Sequence, residues 1–170
     1  MYDDPVKQLS GAAARVQQAL VAAGLDCIIT EHATAARTSA EAAATLGCKI
    51  AEIAKSLVFR ATAADVPDGV VLVIASGANR VDEAKVAALC GATIGKADAA
   101  LVREATGYAI GGIPPLAHAR RLRAFVDRDL LAFERVYAAG GTPNAMFPIR
   151  PTDLVRVSGG IIADVALLAV

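Results

Sequence analysis

The middle of the chain carries the stretch that decides the fold: Val70-Val71-Leu72-Val73-Ile74-Ala75. A continuous apolar run of this length suits a strand that is buried on both faces. The turn signal Asp68-Gly69 precedes the run, and Ser76-Gly77 ends it. A second strand is predicted at residues 56–60. We therefore expect a sheet with at least one strand that is covered from both sides.

Helices are predicted around this sheet, from apolar spacing and from N-cap residues, at residues 6–23, 38–46, 82–89 and 98–105. Further strands are predicted at residues 26–31, 122–126, 145–149, 155–157 and 161–165. Strands and helices do not alternate regularly. This pattern favours a mixed α/β (α+β) fold, with a curled mixed sheet surrounded by helices, over a doubly wound parallel sheet.

Length and composition limit the possible classes of protein. The chain has 170 residues, which suits one domain over residues 1–170. Its 17 basic and 17 acidic residues cancel, so any contact with RNA is expected to be weak and local. Three scattered cysteines form no disulfide or zinc pattern and are interpreted as buried thiols. With no signal peptide and no membrane-spanning run in the sequence, we expect a cytoplasmic protein.

Two features of the sequence are candidates for chemistry. Lys55 stands in the apolar context Ile53-Ala54-Lys55-Ser56-Leu57. It is either a surface lysine at the start of a strand or a fixed cation beside a pocket, able to hold a carbonyl, a phosphate or an oxyanion. The second feature is the loop Gly111-Gly112-Ile113-Pro114-Pro115. It is either a plain turn or a stiff loop whose backbone amides can bind a ligand.

The two histidines, His32 and His118, are each interpreted as structural more readily than as catalytic. The sequence contains no GxSxG, HExxH, P-loop or GxGxxG motif. A serine–histidine hydrolase remains an alternative without a motif in its support. No metal or cofactor site is predicted.

Four segments, taken in order, are RTSAEAA (residues 37–43), IAKSLVF (53–59), GYAIGGIPP (107–115) and LVRVSGG (154–160). Together they resemble the YbaK/ProX family of aminoacyl-tRNA deacylases, whose domain also occurs inserted in bacterial prolyl-tRNA synthetases. Each segment is short, but their order and spacing make the resemblance specific. It covers residues 31–165, nearly the whole chain.

The resemblance implies a barrel-like sheet and a set of site residues. Lys55 corresponds to the key lysine of the family, and Gly111 to Pro115 correspond to its GxxxP loop. Lys55, Gly111 and Gly112 are therefore the predicted catalytic residues. The residues predicted to bind the substrate are Thr38, Ser56, Ser76, Gly77, Pro115, His118, Ser158 and Asp164.

The resemblance also implies a reaction that needs no metal, no cofactor and no covalent intermediate. The 3′ end of a mischarged tRNA would enter a cleft between the loop and Lys55, which hold the ester and its oxyanion. Water would attack with the help of a ribose hydroxyl. The expected partners are mischarged tRNA and prolyl-tRNA synthetase, with no role for DNA or a membrane. Four arginines form either a solvated face or a patch for tRNA phosphates: Arg120, Arg121, Arg123 and Arg128.

The expected substrate is a small wrong amino acid of the Ala, Cys, Ser or Thr class, carried on tRNA-Pro. Members that clear Cys have Thr after the lysine, and members that clear Ala have Asn, whereas this chain has Ser56. The sequence therefore leaves the choice within this class open. The alternative function is a non-catalytic module of the same fold that binds a tRNA 3′ end or a synthetase.

Overall fold

The computed structural model describes residues 9–63 and 69–168. Within these residues the helices are α1 (Gly11–Ala22), α2 (Ser39–Leu46), α3 (Glu83–Cys90), α4 (Ala99–Thr106) and α5 (Pro151–Ser158). The strands are β1 (Thr30–Glu31), β2 (Ile53–Thr62), β3 (Val70–Ser76), β4 (Thr93–Lys96), β5 (Ala124–Asp127), β6 (Val136–Ala139), β7 (Ala145–Ile149) and β8 (Ile161–Ala163). All eight strands belong to one mixed sheet. The predicted mixed α/β fold class is confirmed.

The sheet is built on β2 and β3, which pair antiparallel from Ala54 opposite Ser76 to Arg60 opposite Val70. The strand order is β1-β7-β6-β2-β3-β5-β8, and β4 also pairs with β2. Along its other edge, β2 changes partner: its first two residues pair parallel with β6, and residues 59–62 pair antiparallel with β4. One edge of β2 thus serves two different strands, one in each direction.

β3 lies in the middle of the sheet, and all seven of its residues are buried. Leu72 and Ile74 belong to the apolar cluster that includes residues of α1. Val71 and Val73 belong to a separate cluster that includes residues of α3. Because successive side chains point to opposite faces of a strand, a strand with a cluster on each face has to be apolar throughout. The prediction of a strand buried on both faces is confirmed.

The middle helices begin and end where capping chemistry predicts. Thr38, Asp82 and Asp98 each accept a hydrogen bond from a backbone N–H in the first turn of α2, α3 and α4, respectively. Gly47 ends α2 with φ at 70°, a left-handed conformation that glycine adopts without steric cost. The three predicted helices are confirmed to within one residue at each end. The first predicted helix is confirmed over α1, and residues 6–8 lie outside the described residues.

One of the predicted strands is wrong, and another is confirmed only at its last two residues. Residues 155–157 alternate apolar and charged side chains as a strand does, but they belong to α5. Pro151 occupies the first turn of α5, where its fixed φ favours a helix, and Leu154 anchors that helix in the core. In the predicted strand at residues 26–31, only Thr30 and Glu31 pair, with β7. β4 has no counterpart among the predicted strands.

Residues 27–29 are held by a side chain instead of a neighbouring strand. Gln17 of α1 is fully buried. Its Nε2 donates to the Cys27 carbonyl at 2.8 Å, and its Oε1 accepts from the Ile29 N–H at 2.9 Å. One buried amide thus satisfies two backbone groups and fixes the path of the chain from α1 into β1.

Replacing Gln17 with leucine should lower the free energy of unfolding by about 1–3 kcal/mol, because two backbone groups lose their partners. Urea denaturation measures this change. Gln18→Leu, at an exposed position one residue along the helix, is the matched control, and it should change stability by less than about 0.5 kcal/mol. Equal stability of the two variants would show that the Gln17 bonds contribute nothing.

Candidate active site

A cavity of about 320 Å³ opens beside the first residues of β2. Its wall combines the start of α2, the start of β2, the loop at residues 110–113, and residues in and beside the β6–β7 turn. The polar residues in the wall are Arg37, Thr38, Ser39, Lys55 and Ser56. The rest of the wall is apolar apart from Gly111. The cavity therefore joins one lysine to a glycine–proline loop that lies far from it in sequence.

Lys55 is half-buried at the third position of β2. Its Nζ donates to the Asn79 carbonyl at 2.6 Å. Burial lowers the pKa of the Lys55 ammonium from its ordinary value, and the negative charge of Asp127 opposes that shift. The result is a cation that is partly removed from water and held at the cavity wall, where its field is screened less than at the surface.

The loop that carries Gly111 is seated on the β6–β7 turn. Gly111 has φ at 92°, and a Cβ built on it would come no closer than 3.8 Å to Pro143. Gly112 is buried, and a Cβ there would lie 2.7 Å from the Thr142 Cα. The Gly112 N–H already donates to the Ala109 carbonyl at 3.0 Å. Gly112 therefore allows the loop to dock closely, and its amide is not free to hold an ester as the sequence analysis predicts.

Thr38 and Ser56 both line this cavity. The Thr38 hydroxyl accepts a hydrogen bond from the Glu41 N–H at 3.1 Å, so it also caps α2. The Ser56 Oγ is buried and has no hydrogen-bond partner within the described residues. A buried hydroxyl without a partner costs about 1–3 kcal/mol, which makes Ser56 a natural contact for a polar ligand atom.

Ser76 and Gly77 are not among the residues that line this cavity. Ser76 is buried, and its hydroxyl donates to the Ala51 carbonyl at 2.7 Å. A Cβ on Gly77 would lie 2.5 Å from the Ile50 carbonyl oxygen. In this structure both residues hold the end of β3 against the segment before β2, outside the lining of the cavity.

Three other predicted residues lie together at a second groove, of about 480 Å³: Pro115, His118 and Ser158. The His118 Nε2 donates to the Pro114 carbonyl at 2.7 Å, and burial lowers the pKa of its ring. The Ser158 hydroxyl donates to the Val155 carbonyl at the end of α5. These residues therefore flank the far side of the glycine–proline loop and do not join Lys55.

Asp164 is the predicted site residue that forms an ion pair. Its carboxylate lies 3.0 Å from the Lys85 Nζ and 3.6 Å from an Arg128 nitrogen. The hydrogen bond from Lys85 is the main reason that the pKa of Asp164 is lowered. Asp164 is not among the residues that line the Lys55 cavity.

The four arginines at residues 120–128 do not share one environment. Arg123 donates to the Leu89 and Cys90 carbonyls at the end of α3. Arg128 contacts Asp164, whereas Arg120 and Arg121 line the second groove. Arg120 also contacts Glu104, at 3.7 Å. Three of the four thus have partners in separate places, and the arginines do not form one continuous patch for phosphates.

Neither histidine is hydrogen-bonded to a serine hydroxyl within the described residues. The His118 ring bonds to a backbone carbonyl, and the buried Nε2 of His32 has no partner there. The alternative of a serine–histidine hydrolase therefore gains no support from the geometry. Over residues 9–63 and 69–168, no group of His, Cys, Asp and Glu is arranged to hold a metal ion. No helix in that part is both long and apolar enough to cross a membrane.

Several residues at or behind the cavity are not among those predicted from the sequence. Ile53 and Met146 form part of its apolar wall, and Asn79 and Asp127 lie behind Lys55. Of these residues, only Asp127 has a sequence pattern that could have indicated a site, because it is an acidic residue at the end of an apolar strand. The others are ordinary residues in sequence, and only the packing of distant segments brings them to the site.

A mixed sheet with a lysine and a glycine–proline loop at one cavity places the protein in the class of YbaK-like editing domains. The chain belongs to the aminoacyl-tRNA editing domain family, whose model matches residues 33–157.

Two solved structures share this fold over most of the chain, and a further protein matches it in sequence. A solved structure of a candidate trans-editing enzyme for prolyl-tRNA synthetase matches with a TM-score of 0.87 and 40 % identity, over 95 % of this chain and 100 % of its own. The solved structure of the hypothetical protein APE2540 matches with a TM-score of 0.80 and 35 % identity, over 90 % of this chain and 99 % of its own. The uncharacterized protein YwhH of Bacillus subtilis (strain 168) is 32 % identical over 130 residues, which are 76 % of this chain and 80 % of YwhH.

Proposed function

We propose that this protein is a trans-editing deacylase, which hydrolyses the ester of a small wrong amino acid from mischarged tRNA-Pro. The observation that carries the proposal is that Lys55 and Gly111 line the same cavity. The family assignment supports editing of aminoacyl-tRNA in general. The likeness to a candidate trans-editing enzyme for prolyl-tRNA synthetase supports tRNA-Pro as the carrier.

The chemistry of the proposed reaction is the hydrolysis of an activated ester. The negative charge that develops on the carbonyl oxygen requires donors already in place. The Lys55 ammonium supplies a charged donor, and the Gly111 backbone on the facing loop supplies a second. A preorganised donor of this kind contributes about 3–4 kcal/mol to transition-state stabilisation. This charge develops as water attacks the carbonyl carbon, while a ribose hydroxyl of the terminal adenosine assists proton transfer. The bond between the carbonyl carbon and the ribose oxygen then breaks, which releases the free amino acid and the tRNA with its hydroxyl restored.

The cavity wall favours a small amino acid. At about 320 Å³ the cavity must accept the aminoacyl group together with part of the terminal ribose. Ile53 and Met146 are buried and form part of its apolar wall. The unpartnered Ser56 hydroxyl offers one polar contact. A side chain of the Ala, Cys, Ser or Thr class fits these conditions, whereas an aromatic side chain would need more of this limited volume.

A panel of mischarged tRNAs tests the proposal. Ala, Cys, Ser and Thr esters on tRNA-Pro should be hydrolysed at least about tenfold faster than a Phe ester on the same tRNA, since a poorly placed ester loses at least that factor in rate. Correctly charged Pro-tRNA-Pro is the control for damage to the cognate product. Activity confined to aromatic esters would contradict the small-pocket argument. Tight tRNA binding without hydrolysis, under single-turnover conditions, would favour the non-catalytic module instead.

A further inference from the structure

We propose that Asn79 is a positioning residue, which is locked by Asp127 and Asp129 and in turn holds the Lys55 ammonium at the cavity wall. This inference rests on the proposed function, because it is the proposed reaction that requires the Lys55 ammonium. It concerns three residues outside the predicted site: Asn79 in the turn after β3, Asp127 at the end of β5 and Asp129 just beyond it.

The first step is the contact with Lys55 itself. Lys55 lies opposite Ala75 in the β2–β3 register, one residue before β3 ends. The chain then turns, and the Asn79 N–H donates to the Ser76 carbonyl at 2.9 Å. This turn brings the Asn79 carbonyl to 2.6 Å from the Lys55 Nζ.

The second step is the way in which the turn is held. The Asn79 Nδ2 donates to Asp127 Oδ2 at 2.9 Å and to Asp129 Oδ2 at 2.7 Å, so both of its hydrogens are used. Asp127 is fully buried, and it also accepts from the Ser76 N–H at 3.0 Å and from the Asp129 N–H at 3.0 Å. The ends of β3 and β5 are thereby tied together directly behind Lys55.

The third step concerns the group that contacts the ammonium, which is a neutral carbonyl and not a carboxylate. A carboxylate in direct contact would neutralise the lysine and compete with an oxyanion for it. A neutral carbonyl orients the amine and leaves its charge and its other two N–H donors for a ligand. Asp127, one group further away, stabilises the cation without blocking it. A flexible four-carbon side chain is in this way ordered before the substrate arrives.

Asn79→Ala tests this assignment, because it removes both amide bonds and keeps the backbone carbonyl. We expect kcat for deacylation to fall by about tenfold, with KM changed by less than about threefold, since the ammonium is misplaced and not lost. Asp129→Ala removes one of the two bonds and should give a smaller fall in kcat. Ala78→Ser, at an exposed position in the same turn, is the control and should leave both constants unchanged.

The Lys55→Ala background separates positioning from a general structural role. If Asn79 acts through Lys55, adding Asn79→Ala should leave the residual rate of Lys55→Ala unchanged. An equal fall in rate with and without the lysine would overturn the proposal. Unchanged kcat for Asn79→Ala in the otherwise wild-type protein would overturn it as well.

A measurement that needs no activity distinguishes this proposal from the proposed function. The ¹⁵N-labelled Lys55 ammonium, assigned by its loss in Lys55→Ala, should give an NMR signal protected from solvent exchange in the wild type and not in Asn79→Ala. If the wild type hydrolyses none of the mischarged tRNAs, the proposed function fails and this signal alone decides the positioning role. An ammonium equally exchangeable in both proteins would rule that role out.

Discussion

Replacing Lys55 with alanine should lower kcat/KM for deacylation of a small-side-chain ester on tRNA-Pro by about 100- to 1,000-fold, the usual loss when one oxyanion donor is removed. Lys55 is a charged donor at the cavity, and its half-buried position makes its field stronger than that of a surface lysine. The loss should appear mainly in kcat, because the developing oxyanion needs the cation more than the bound ester does. Single-turnover hydrolysis, measured with excess enzyme, gives the rate of the chemical step directly.

Two further variants make the Lys55 experiment specific. Lys55→Met keeps most of the side-chain volume and removes the charge, so it should match Lys55→Ala in rate while leaving the cavity filled. Lys96→Ala removes the same charge from an exposed position on β4 and should leave the rate unchanged. Both Lys55 variants also remove the hydrogen bond to the Asn79 carbonyl, which should lower the free energy of unfolding by no more than about 1–3 kcal/mol. Urea denaturation measures this loss and shows that the rates are compared on folded protein. A wild-type rate in Lys55→Met would remove the lysine from the reaction.

Replacing Gly112 with alanine should lower kcat/KM by about 100-fold, the loss expected when a catalytic group is displaced by roughly 1 Å. The new Cβ would lie 2.7 Å from the Cα and 2.9 Å from the carbonyl carbon of Thr142. Both atoms belong to the backbone, so no side-chain rotation relieves the overlap. The loop has to move away from the β6–β7 turn and carry Gly111 with it. The same assay as for Lys55 measures the effect.

The control for Gly112 is another glycine in open space. A Cβ on Gly95 in β4 would meet nothing within 4 Å, and its φ is ordinary, so Gly95→Ala should keep the wild-type rate. Gly112→Ala should also lose about 1–3 kcal/mol of stability, as overpacked sites do. A Gly112→Ala protein with full activity would mean that the seating of the loop is irrelevant to the reaction.

Most of the helices and strands of this protein can be predicted from its sequence. The apolar run at Val70 to Ala75 predicts a strand covered on both faces, because an exposed face would need polar residues. Thr38, Asp82 and Asp98 predict three helix starts, because each satisfies backbone donors within three residues of itself. Such signals depend on neighbours in the chain, and the structure agrees with them closely.

The misread segments show where local signals fail. Residues 155–157 have the alternation of a strand, and the burial of Leu154 against the rest of the fold selects a helix. Residues 26–29 look like a strand, and the Gln17 amide takes the hydrogen bonds that a neighbouring strand would have supplied. In each case a tertiary contact outweighs a weak local preference.

For the candidate site, the sequence by itself singled out two features. Lys55 is a cation among apolar residues, and the glycine–proline loop has two glycines close to two prolines. Both patterns are unusual in any fold. Only the tertiary structure decided that the two line one cavity, that Gly112 serves as a contact surface, and that Asp164, His118 and Ser158 lie elsewhere. The contact of Asn79 with Asp127 also joins residues 48 apart. Contacts of this kind depend on distances between remote segments, which no local preference of the chain encodes.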